Sequence, residues 1–112
     1  MQAFDLHEKL NSLGIPFNEI GYMTKAPKYP YGIYVDDVNV RLDDSGYAKV
    51  ENHTVTIELY HDTLDGLRAA AATLDAWIES MAMEYRRQNA YIPEENHFFA
   101  TYMFAYSTKK KG

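Results

Sequence analysis

The sequence predicts an α+β fold: a mainly antiparallel or mixed sheet of about four strands, with a projecting β-hairpin arm and two helices on one face. Three observations carry this reading. In residues 54–60, Val55, Ile57 and Leu59 alternate with Thr54, Thr56, Glu58 and Tyr60, the period of two of a half-buried strand. Directly after it, Leu64, Leu67, Ala71, Leu74, Ile78 and Met81 recur at spacings of three and four, the single apolar stripe of an amphipathic helix. Further β-patterned stretches lie on both sides of this strand–helix unit, so the helix has a sheet to cover.

Taken in order, Ala3, Leu6, Leu10 and Leu13 share one face of a short opening helix, and Gly14 suits a left-handed cap at its end. From residue 15 to 30, Pro16, Pro27, Pro30 and Gly21 interrupt any long element; this reads as mostly loop, with a short extended piece at 17–22. Residues 31–36 resume β character. Residues 38–42 and 47–50 then alternate around the turn formers Asp43, Asp44, Ser45 and Gly46, giving a hairpin-like arm between the strands at 31 and 54.

Asp62 or Thr63 caps the long helix, with Asp65 adding charge where the macrodipole favours it. The run Ala69 to Ala72 lets the helix backbone lie close to the sheet, and Trp77 anchors its far end. Residues 83–92 and 97–106 form a closing strand pair, the second apolar on both faces and therefore central. With 112 residues and no internal linker, the whole of 1–112 reads as one domain.

Composition excludes several function classes. There is no cysteine, hence no disulfide, thiolate metal site or cysteine nucleophile. A net charge of −5 argues against a nucleic-acid reader, and the only basic run, Lys109, Lys110 and Lys111, reads as a solvated frayed tail. The N-terminal residues show no secretory pattern, and no apolar stretch is long enough to span a membrane. Ten tyrosines, by contrast, suit an interface.

No catalytic, cofactor or metal motif emerges. His53 and His61 stand about 26 Å apart along a strand, and His7-Glu8 lacks a second histidine at position 11. The aspartates at 36–37 and 43–44 fail the EF-hand spacing and read as turn formers. No serine sits in a nucleophile elbow, and the glycines are scattered. Arg86 and Arg87 point to opposite strand faces and cannot clamp one anion.

In sequence, the short first helix, the proline-containing loop, the strand 31–35, the strand Ile57-Glu58-Leu59-Tyr60 before an acid-capped helix and the aromatic strand 98–106 resemble tail-completion proteins of long-tailed bacteriophages and prophages. These are the tail terminators and head-to-tail joining proteins. The resemblance covers nearly the whole chain and implies a structural protein of the virion, assembled in the bacterial host cytoplasm. It implies a ring, commonly a hexamer, that caps the tail tube protein and docks to the head connector protein, with DNA passing through and neither membrane nor sequence-specific nucleic acid bound. No catalytic residue or cofactor is implied.

The candidate subunit contacts are Val38, Val40, Leu42, Tyr47 and Val50 in the arm, which either pair with another subunit or pack within their own sheet. A different class of function also fits: a dimeric small-molecule-binding or regulatory α+β domain with Tyr85, Tyr91, Tyr102 and Tyr106 lining a pocket. An enzyme built on Glu58 with His61 or His97 is the remaining reading.

Overall fold

The computed structural model describes residues 6–19, 28–42, 44–46, 48–81, 83–92 and 97–111. They form α1 (Leu6–Asn11), β1 (Phe17–Glu19), β2 (Tyr31–Leu42), β3 (Ala48–His61), α2 (Leu64–Ser80), β4 (Tyr85–Ile92) and β5 (His97–Lys111). The strands make one mixed sheet in the order β1-β2-β3-β5-β4, with β1 parallel to β2 and every other pair antiparallel. The fold is α+β as expected, with five strands rather than about four. The addition is β1, which falls within the short extended piece expected at 17–22 and joins the sheet beside β2.

The register explains the core. Gly32, Leu59, Ala100 and Asn89 line up across the sheet, as do Tyr34, Ile57, Tyr102 and Arg87, and Asp36, Val55, Phe104 and Tyr85. Cross-strand partners share a face, so these rows define the face that both helices cover. Val55, Ile57 and Leu59 are fully buried there, joined by Leu67, Leu74 and Ile78 from α2 and by Leu6 and Leu10 from α1. As the spacing predicts, β5 is a central strand.

Helix α2 starts where its sequence says it should: the Thr63 hydroxyl accepts from the Gly66 N–H at 3.0 Å. Leu64, the first residue of α2, stays exposed, so the buried stripe begins at Leu67. Ala70 and Ala71 are buried and small enough for the helix to approach until the Tyr102 hydroxyl donates to the Ala71 carbonyl at 3.2 Å. Trp77 is half-buried and meets Phe104 edge-on. At the other helix, Gly14 adopts φ 84°, the left-handed conformation expected of it.

Two expectations are corrected. The arm is not a separate hairpin set between core strands, because β2 and β3 run unbroken for 12 and 14 residues and the arm is their continuation. Nor is the lysine run a frayed tail: β5 continues through it, with Lys109, Lys110 and Lys111 opposite Val50, Lys49 and Ala48. The backbone hydrogen bonds of a third strand outweigh the like charges, and the protein extends 52 Å along its longest axis.

Candidate functional site

The arm is a three-stranded ribbon that continues the sheet past the helices. Among the described residues, β1 pairs with β2 at Gly32, Ile33 and Tyr34, and β4 pairs with β5 from His97 to Phe104. Residues 35–42 of β2 and 107–111 of β5 therefore have no second strand neighbour among the described residues.

On the helix-side face of the arm, the β2 residues Val38, Val40 and Leu42 lie in a row and are 45%, 54% and 59% exposed. They are paired across the sheet with His53, Glu51 and Lys49, so an apolar strip runs beside a polar central strand. Val50 sits on the opposite face, opposite Arg41, and is buried. Tyr47 lies outside the described residues. The structure thus gathers three of the five candidate contact residues into one exposed strip and places Val50 beneath it.

At the root of the arm, α1 and the sheet enclose a cleft lined by Leu6, His7, Glu19, Tyr34, Asp36, His53 and Tyr106. His53 Nδ1 lies 3.0 Å from both Asp36 carboxylate oxygens, and its ring stacks on Tyr106 at 4.4 Å. Beside them His7 Nδ1 is 3.0 Å from the Tyr34 hydroxyl. Burial pushes the Tyr106 hydroxyl up to about 12, with the negative charges of Asp36 and Glu51 adding to it. The sequence held a signal for this cluster in the parity shared by residues 34 and 36 and by 104 and 106, but pairing it with His53 needs the register.

The arginines diverge as expected. Arg87, on the helix side, donates to Asp75 of α2, and Arg86 occupies the other face beside Thr101 and Met103. Burial lifts the Tyr102 hydroxyl well above the usual tyrosine range, with Asp75 reinforcing the shift. The Tyr85 hydroxyl donates to Glu79, which raises its pKa as well.

The four tyrosines named for a pocket all stand on the helix side of the sheet. Tyr102 and Tyr106 are buried and fill core, leaving Tyr91 exposed. Glu58 accepts from Tyr60 on the face away from the helices, while His61 has the opposite parity and pairs with Asp62. His97 is buried against Tyr29 and Tyr60. Glu58 and His61 are therefore not brought together. Among the described residues no group of three His, Asp or Glu side chains could hold a metal ion, and no helix is long and apolar enough to cross a membrane.

No protein-family model and no curated protein sequence matches the chain. Solved structures do match it. One is a chain of the virion of a native gene transfer agent particle, aligned over 98% of this chain and 87% of that one, with a TM-score of 0.51 and 15% identity. At that identity the likeness is one of fold.

Proposed function

We propose that this protein is a non-enzymatic structural subunit of a phage-like particle, which closes the end of the tail tube as a ring, a hexamer, and presents the surface to which the head connector docks. The observation that carries this reading is the exposed strip Val38, Val40 and Leu42 on a ribbon extending beyond the protein's own core. Burying a fully exposed side chain of this kind is worth about 1.5–3 kcal/mol, and these still have about half of that to gain, so the strip favours contact with another protein surface. The sharing of this fold with a chain of a gene transfer agent virion supports the coarser part of this reading, a structural subunit of a phage-like particle.

The mechanism is geometric. Association costs roughly 4–15 kcal/mol in lost translational and rotational freedom. A strip this small is better suited to subunits already gathered on a tube end than to spontaneous rings in dilute solution. Closure on the tube covers the surface that would recruit more tube subunits. A formal charge of −5 suits a bore through which DNA slides without being gripped.

The test is to delete the gene from its inducible phage or prophage, induce, and image the particles. Filled heads separated from tails, or tails of uncontrolled length, are expected. Normal infectious particles would remove this reading and turn attention to ligand binding.

A further inference from the structure

We propose that the arm of each copy docks into the groove between α2 and β4 of the next, Val40 and Leu42 lying against Leu64 and Tyr91 and the Asp44 carboxylate meeting Arg68. The inference rests on the ring-forming role proposed above and names the surface that receives the arm.

Two periodicities build the groove. Leu64, Arg68, Ala71 and Asp75 recur at spacings of three and four and so form one stripe along α2. Tyr91, Asn89 and Arg87 alternate along β4 on the face that α2 covers. Between these rows lies a cleft of about 270 Å³, with the buried Leu67 and Ala71 as its floor and Arg68, Asp75, Arg87 and Asn89 as its walls. Arg87 donates to Asp75, whereas Arg68 is exposed and makes no hydrogen bond or ion pair among the described residues, which leaves it available to an incoming acid.

At the end where α2 begins, Leu64 and Tyr91 are 36% and 46% exposed. Tyr91 stands there because its row across the sheet runs through Phe98 to His61, just before the helix. From that end inward, the groove is first apolar and then cationic.

The arm carries the complementary groups in the same order. Val38, Val40 and Leu42 form the exposed strip, and Asp44 follows, exposed, in the turn at the tip. Arg41 belongs to the other face, opposite Val50. Leu42 to Asp44 spans about 7 Å of extended chain, and Leu64 to Arg68 about 6 Å of helix. An arm entering from the Leu64 end therefore sets apolar on apolar and acid on base. Its own groove is out of reach, because the arm continues the sheet past the helices. With β2 and β4 on opposite sides of the central strands, the contact joins two different patches head to tail, and repeated by one rotation it closes a ring.

A charge swap tests the inference. Arg68→Glu and Asp44→Arg should each stay folded by circular dichroism and lower the infectious titre by about tenfold or more in the complemented deletion strain, whereas Arg68→Glu/Asp44→Arg in one chain, where acid again meets base, should recover most of it. Full titre with either single variant, or a double variant no better than the singles although all are folded, overturns the proposal.

Because the chain has no cysteine, thiol cross-linking gives an independent readout. Purified Leu42→Cys/Leu64→Cys at millimolar concentration, treated with a short bis-maleimide, is expected to yield covalent oligomers beyond the dimer, and each single variant only monomer. Products that stop at the dimer, or no cross-link in the folded double variant, overturn it. A ladder from a protein whose deletion leaves particles normal would keep the docking and discard the phage role. Separated heads and tails in the deletion strain, with no ladder, would do the reverse, so the two failures are distinguishable.

Discussion

The ring of Phe17 occupies the space that a side chain on Gly32 would fill. Phe17 is 1% exposed, and its strand is held to β2 by pairing with Gly32 and by the Gly32 N–H donating to the Pro16 carbonyl at 2.9 Å. The glycine therefore admits β1 to the sheet. A methyl group there meets a ring that cannot withdraw without opening the core. Gly32→Ala should cost about 1–3 kcal/mol, lowering the urea midpoint, despite the smaller entropy of the unfolded alanine chain. An unchanged midpoint would show that β1 is dispensable.

The N-cap of α2 gives a smaller and cleaner effect. Thr63→Ala removes the acceptor for the Gly66 N–H and should destabilise the protein by about 1 kcal/mol, whereas Asp62→Ala, whose carboxylate pairs with His61 at the exposed surface, should cost less than half of that. Equal losses would mean that Thr63 is not the cap.

Base should unfold the protein earlier than an ordinary tyrosine protein. Burial raises Tyr102 and Tyr106, the latter to about 12, while both ionise near 10 when unfolded. Their contribution is complete below about pH 10 and is lost as pH rises toward the folded values, because the unfolded chain releases these protons first. Stability should fall above roughly pH 10 by up to about 1.4 kcal/mol per pH unit for each, less where solvent screens the charge. Tyr106→Phe should flatten part of that slope in urea titrations at successive pH values; an unaltered slope would show Tyr106 ionising as freely in the fold as outside it.

What was legible in the sequence was the part fixed by local periodicity. Val55, Ile57 and Leu59, followed by Leu67, Leu74 and Ile78, state a strand and a helix facing one core, and all six are buried. What was not legible depends on partners distant in sequence. An extended piece at 17–22 was expected, but its place as a parallel strand beside β2 depends on Gly32 leaving room for Phe17. The lysines at 109–111 become strand because residues 48–50 lie across from them, about sixty positions away in the chain. The same applies to the candidate site: alternation identified Val38, Val40 and Leu42, but assigning Val50 to the opposite face needed the pairing of Arg41 with Val50.

The central claim is that the arm's exposed strip exists for assembly. Its most direct test is Val38→Asp/Val40→Asp, read simultaneously as the unfolding free energy of the purified protein and as particle morphology in the complemented deletion strain. Both side chains are exposed at the sheet's edge, so the unfolding free energy should stay within about 0.5 kcal/mol of the parent, while the particles should show the same separated heads and tails as the deletion. Normal particles, or an unfolded variant whose strip is needed by its own sheet, would contradict the account.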